Sequence, residues 1–237
     1  MHRFFCPQPQ ISKELLYLTD ARIIHHIRRV LCLKAGEALT VFDGKGAEYL
    51  CAIRNLDEKA VLVIKEKRVI LREGRQEVSL SVACAIPKKA KFDDIVDKLC
   101  QLGVSRIIPV ITERVIVKLD KIKKDLRLKR WEKIAQSACQ QSQRATIPLI
   151  EGVRDLRDLV NECKCFDLKI IPTLIGERKH ISSILSSSIS NGARNILILI
   201  GPEGDFSETE VGLCIKHGFL PASLGELVLK VDTAAIS

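Results

Sequence analysis

Residues 195–210 read NILILIGPEGDFSETE. The apolar run Ile196–Ile200 has the length of one strand buried on both faces, the habit of parallel sheets. Gly201, Pro202, Glu203 and Gly204 then make a tight turn whose two glycines carry no side chain. Ser207 with Glu210 is a capping box, so a helix is expected from Glu208 to His217, stopped by Gly218. Strand, glycine-bearing loop and capped helix together predict a place where a ligand presses on bare backbone at a strand's carboxyl end. The competing account is an ordinary turn that needs glycine for its dihedral angles. The loop is neither a Walker loop nor a G-x-G-x-x-G.

Upstream of this stretch, strands and helices alternate. Strands are expected at Val78–Ile86, Val104–Ile111, Ile147–Val153 and Leu168–Ile175. Helices are expected at Lys89–Leu102 (stopped by Gly103), Lys123–Arg144, Leu156–Glu162 and Ile181–Ser187. In Lys123–Arg144 the residues Trp131, Ile134, Ala135 and Ala138 fall on one side. Such alternation predicts an α/β fold with a mainly parallel sheet covered on both faces. Ligands of such sheets sit at the strands' carboxyl ends, which points to Pro172–Gly176, Gly201–Gly204 and Ser223-Leu224-Gly225.

Before Val78 the pattern differs. Met1–Phe5, Glu37–Phe42, Glu48–Arg54 and Ala60–Ile70 read as strands, with a hairpin turn at Asp43-Gly44 and another turn over Asn55–Lys59. Asp20–Cys32 reads as a helix with an acidic cap and a cationic face. Together they predict a small β-barrel. The polar, glycine-containing Leu71–Glu77 separates the two patterns, so the domains are set at residues 1–71 and 72–237. Arg3, His25, His26, Arg28 and Arg29 are the barrel's candidate RNA contacts; solvated surface charge is the alternative for each.

The 237-residue chain is 46% hydrophobic, enough for a sizeable core, and carries 38 Lys and Arg against 29 Asp and Glu, a net charge of +9. A cationic surface favours polyanions, with nucleic acid foremost; the alternative is basicity for solubility alone. Aromatics are only 4%, which disfavours broad base-stacking platforms. The nine cysteines are odd in number and include no C-x-x-C. With no signal-peptide pattern, they predict reduced thiols in a cytoplasm. Cys163-Lys-Cys165 lacks the partners to complete a metal site, so no metal is expected. No apolar run approaches membrane-spanning length. The run Lys118–Arg130, including Lys121, Lys123 and Lys124, is either a solvated helix face or a phosphate-contacting patch.

Three blocks then fall in a recognisable order. Trp131–Pro148, WEKIAQSACQQSQRATIP, resembles a W-x-x-I-x-x-x-A-x-x-Q-S-x-R-x-x-x-P signature. IGPEGDFSETE resembles I-G-P-E-G-G-F-S-x-x-E, and Leu224–Ala234, LGELVLKVDTA, resembles L-G-x-R-I-L-R-x-E-T-A. These blocks are similar to the RsmE group, the 16S ribosomal RNA uridine-N3 methyltransferases of the SPOUT class. MHRFF and Val30-Leu31 followed by Gly36-x-x-Leu39 extend the likeness to the amino terminus.

The resemblance implies a PUA-like RNA-binding barrel followed by a SPOUT domain whose C-terminal segment threads a trefoil knot. It implies a homodimer acting on 16S ribosomal RNA or the small ribosomal subunit, with S-adenosylmethionine in the knot loops. By correspondence the cofactor residues would be Thr173, Leu174 and Gly176, then Ile200, Gly201, Pro202 and Gly204, then Leu224, Gly225, Val228 and Leu229. Arg144, with Gln141 on the same helix, would stabilise charge developing on the uracil. Glu203 would act as a base or cap its loop. Departures are Asp205 for a glycine, Leu227 and Lys230 for arginines, Asp232 for glutamate, and Cys32 for a common arginine. The rival readings are a SPOUT methyltransferase with a different RNA target and a non-catalytic RNA-binding ribosome-assembly factor that keeps the fold. Leu227 and Asp205 are the features that favour the latter.

Overall fold

A computed structural model describes residues 1–57, 59–69, 78–87, 91–114 and 120–237. The chain gathers into two compact units, one of Met1–Gly74 with Cys139–Ile147 and one of Arg75–Ala138 with Pro148–Ser237. The expected boundary at 71/72, and with it Leu71–Glu77, lies outside the described residues, as do Lys89 and Lys118.

In the first unit, β1 (His2–Phe5), β2 (Gln10–Ser12), β3 (Leu15–Leu18), β4 (Ala38–Phe42), β5 (Ala47–Leu56) and β6 (Ala60–Val69) form a six-stranded sheet in the order β1-β4-β5-β6-β3-β2. β1 pairs with β4 in parallel and the other neighbours are antiparallel. Among the described residues β1 and β2 end this hydrogen-bonded order, and the strands surround one core. Phe4, Leu16, Leu39, Val41, Cys51 and Leu62 meet in that core. The Asp43-Gly44 turn forms as expected: Asp43 Oδ1 accepts from the Lys45 and Ala47 amides at 2.7 and 3.0 Å. Gly44 is left-handed (φ 75°), and a Cβ there would meet Phe5 Cε2 at 2.8 Å. Its carbonyl accepts from Ile147 N at 2.9 Å, which ties in Cys139–Ile147.

The helix expected over Asp20–Cys32 is two pieces, α1 (Ala21–His25) and a π-helical turn, His26–Val30. Leu31 N donates to His26 O at 2.9 Å, the wide i→i+5 closure. Ile24 and Ile27 stay buried while Arg28 and Arg29 remain exposed.

The second unit holds β7 (Ser79–Ala85), α2 (Lys91–Gln101), β8 (Arg106–Ile111), most of α3 (Lys121–Gln141), β9 (Leu149–Ile150), β10 (Arg154–Asp155), α4 (Leu156–Glu162), β11 (Leu168–Pro172), β12 (Lys179–His180), α5 (Ile181–Ser190), β13 (Asn195–Ile200), α6 (Glu208–Lys216), β14 (Phe219–Ser223) and α7 (Val231–Ile236). Its sheet runs β10-β8-β7-β13-β11-β14-β12 with β9 beside β8, and every pairing is parallel. β13 is interior and buried on both faces. Leu197 and Leu199 point into a core with α4 and α6, whereas Ile196 joins Ile170 and Ile184 of α5 on the other side. This is why Ile196–Ile200 is continuously apolar rather than alternating.

Other expectations need correction too, the strand expected over Ile147–Val153 being only Leu149–Ile150. α3 ends at Gln141, because Gln143 takes a left-handed backbone (φ 59°) and Arg144 N closes onto Cys139 O at 2.9 Å. Arg144 therefore lies beyond the helix that carries Gln141. Leu168–Ile175 is strand only to Pro172, after which the chain turns into the loop that ends at Arg178.

Candidate functional site

The carboxyl ends of three adjacent strands, β13, β11 and β14, open onto one cleft of about 640 Å³ including its mouth. After β11 come Pro172, Thr173 and Leu174, and after β13 come Gly201, Pro202 and Glu203. The third wall is Ser223–Gly225 with Leu227, Val228 and Leu229, backed by Val231 and Ala234 of α7. Of the residues matched to the family's cofactor loops, Gly176 and Gly204 do not line the cleft; the other nine do.

Asp205 holds two of these loops together. Its backbone is left-handed (φ 59°), which aspartate tolerates better than most residues, and which accounts for glycine being usual there in the resembling group. Its Oδ2 accepts from Thr173 Oγ1 at 3.0 Å and from Leu174 N at 2.7 Å, and its Oδ1 accepts from Phe206 N at 2.8 Å. A carboxylate has replaced hydrogen and become a clamp. On the β13 loop, Arg114 donates to the Gly204 carbonyl.

Gly201 lines the cleft and also abuts the core. A Cβ there would meet the ring of Phe206 at 2.8 Å, and Phe206 is fully buried. The missing side chain makes room for that ring. Gly176 (φ 73°) and Gly225 (φ 138°) have open space around them, so their backbone conformations are what require glycine. The capping box is present: Ser207 Oγ accepts from Glu210 N at 3.2 Å, and Glu210 Oε2 accepts from Ser207 N at 2.9 Å. Glu210 Oε1 also takes the Glu113 amide at 2.8 Å, a second duty that spacing did not disclose. Capping of α6 thus falls to Ser207 and Glu210, while Glu203 is exposed on the cleft wall.

Chemically the cleft is largely aliphatic: among the described residues, Arg178, Glu203 and Asp205 are the ionisable side chains lining it. The amides of Leu227, Val228 and Leu229 make no hydrogen bond among the described residues, leaving donors along an apolar wall. That combination suits a flat, polar-edged heterocycle. Cys84 of β7 lies beneath, fully buried; burial, and secondarily the charge of Glu203, pushes its thiol up, so it offers no thiolate. Among the described residues no cluster of three metal-ligating side chains occurs. No helix among them is long and apolar enough to cross a membrane.

Gln141 and Arg144 belong to the first unit. Gln141 is exposed; Arg144 is half-buried and donates from Nε to Thr146 Oγ1 at 3.1 Å. Arg3 is not available as a surface charge. It pairs with Glu48 at 2.5 Å and lies 5.0 Å from the Phe42 ring centre, with only 11% of its side chain exposed. His25, Arg28 and Arg29 are exposed and share another hollow with Asp57. Lys121 and Lys123 are exposed and Lys124 partly so, at the start of α3. Arg178 lines the cleft and was not anticipated.

Comparison with known proteins gives these features a setting. Residues 74–237 match the model of an RNA methyltransferase domain, and residues 18–66 that of an RNA methyltransferase PUA domain. The ribosomal RNA small subunit methyltransferase E of Mesomycoplasma hyopneumoniae is 32% identical over the whole chain and 96% of its own length. The protein of that name from Bacillus subtilis is 29% identical over the whole chain and 93% of its length. Among solved structures, methyltransferase E of Neisseria gonorrhoeae bound to S-adenosylmethionine superposes with a TM-score of 0.84 at 28% identity, covering 100% of this chain and 94% of that one. A Legionella pneumophila structure with the same bound cofactor gives 0.84 at 32% identity, with 99% and 93% covered.

Proposed function

This chain belongs to the ribosomal RNA small subunit methyltransferase E family, and on that premise we propose that it moves a methyl group from S-adenosylmethionine to N3 of a uridine in 16S ribosomal RNA. The observation that carries the reading is the cleft at the ends of β13, β11 and β14. Its aliphatic walls and unspent loop amides fit an adenosyl group, and the same three loops are those the motifs nominate. The proposal includes the division at residues 71/72, a knotted C-terminal segment, a homodimer and a cytoplasmic setting.

The cofactor would supply an electrophilic methyl carried on a sulfonium. Thr173, Leu174, Ile200, Leu224, Val228 and Leu229 would grip it, with Gly201, Pro202 and Gly225 shaping the loops. Gly176 and Gly204 would support them from outside the cleft. Displacement at the methyl is in-line, so much of the rate comes from alignment. Uracil N3 must lose its proton, and negative charge gathers on the ring as it does. Arg144, assisted by Gln141, would steady that charge, and Glu203 is the carboxylate nearest in kind to a base. His25, Arg28, Arg29, Lys121, Lys123 and Lys124 would contact RNA phosphates.

The test is methyl transfer from labelled S-adenosylmethionine to small ribosomal subunits from cells lacking this protein, followed by nucleoside mass spectrometry. A new N3-methyluridine supports the reading, and methylation at another position overturns the uridine assignment. Tight cofactor binding without transfer would favour a non-catalytic RNA-binding factor. For Arg144→Ala we expect turnover to fall roughly a hundredfold while cofactor affinity stays within about twofold. An unchanged rate would remove Arg144 from the mechanism.

A further inference from the structure

Among the described residues that line the cleft, Arg178 is the only cation. The chain delivers it there by two devices. Gly176, in its left-handed conformation, turns the loop after β11 back on itself. Immediately afterwards Lys179 and His180 pair with Ala222 and Ser223 of β14, which fixes the loop's end beside two other lining residues. The guanidinium spends one bond, from Nη1 to the Thr173 carbonyl at 2.9 Å. Among the described residues no carboxylate pairs with it. Asp205 is engaged by Thr173, Leu174 and Phe206. Arg178 is an exposed residue on the cleft lining, and its guanidinium has donors to spare for an anionic group that takes two hydrogen bonds at once.

From this geometry we infer that Arg178 recognises the α-carboxylate of the cofactor's methionine end. The inference rests on the reading that this cleft holds S-adenosylmethionine. One end of that molecule is an adenosyl group, which the leucine-lined wall suits. The other is an amino acid whose carboxylate needs a cation, and the cleft lining offers one. The Thr173 bond lets the same arginine report whether the loop is seated, since Thr173 is also held by Asp205. Arg178 is thus a specificity residue for the intact amino-acid tail, distinct from any group that acts on the uracil.

The experiment is titration calorimetry of wild type, Arg178→Ala and Arg178→Lys with S-adenosylmethionine and with decarboxylated S-adenosylmethionine, which differ by that carboxylate alone. Wild type is expected to prefer the intact cofactor by roughly tenfold or more, the worth of a charge-assisted pair. Arg178→Ala should lose this preference while binding the decarboxylated ligand as wild type does, and Arg178→Lys should recover part of it. A preference that survives in Arg178→Ala overturns the inference. Equal loss for both ligands also overturns it and leaves Arg178 a prop for the Thr173 loop. Unchanged affinity for both, with weakened binding of small-subunit RNA, overturns it in favour of a phosphate contact. If wild type binds neither ligand, the cofactor reading itself has failed, an outcome separable from all of these.

Discussion

At Asp205, three donors converge on one carboxylate while the backbone sits in a region that favours glycine. Asp205→Gly relieves the backbone and removes the clamp, so the two effects separate. We expect stability near wild type but cofactor affinity about tenfold lower by calorimetry, the scale of a charged hydrogen bond. Unaltered affinity would mean the Thr173 loop seats itself unaided. Gly201→Val drives a side chain into Phe206 and should cost about 1–3 kcal/mol of unfolding free energy in urea. The sequence marked Gly201 as special but did not disclose its neighbour in the core. Nothing in GPEGDF says that the phenylalanine five positions on folds back beneath the glycine. Arg178 escaped notice for a related reason: GERK reads as a surface turn, and only the β12–β14 pairing turns it toward the cleft.

Among the elements, α6 is the most legible, because its cap is local and needs no partner from elsewhere. Ser207→Ala should lower stability by about 1 kcal/mol. Glu210→Ala should cost more than Ser207→Ala, since Glu210 is buried and also satisfies the Glu113 amide. Denaturant titration of the two variants checks the order, and equal costs would mean that the Glu113 bond contributes nothing. β14 illustrates what sequence conceals. FLPAS contains Pro221, which argues against an interior strand. β12 covers only Ala222 and Ser223, so β14 has an open side at Pro221 where no donor is required. Similarly, Asp20–Cys32 has helical spacing, but spacing does not distinguish an α turn from the π turn that follows His25.

Across the whole molecule, the nine cysteines are free, and burial pushes the Cys51 and Cys214 thiols up to about 12 from an ordinary 9.0, and that of Cys84 further still. An unfolded chain would release these protons above about pH 9, whereas the folded one holds them. Their contribution is therefore intact below pH 9 and falls as the pH rises from 9 toward 12. Unfolding midpoints should drop between about pH 8 and pH 10, and a Cys51→Ser, Cys84→Ala or Cys214→Ala background should flatten that drop. Cys32 and Cys165, both exposed, should be alkylated first. The net charge of +9 predicts RNA affinity that weakens steeply with salt, and Arg28→Ala with Arg29→Ala should reduce that slope by about 2. An unchanged slope would move the phosphate contacts off that face.

The interior position of β13 also constrains how the protein is made. Asn195 is the register partner of Ser79, and β11 pairs only with β13 and β14, both of which follow it in the chain. During synthesis β7 emerges early and must wait for its inner neighbour while the intervening chain is translated. β11 leaves the ribosome with neither of its edges covered. The nascent chain thus carries bare apolar strand edges for much of its elongation, which favours late, cooperative closure of the sheet and exposes it to chaperones and to misassembly in the meantime.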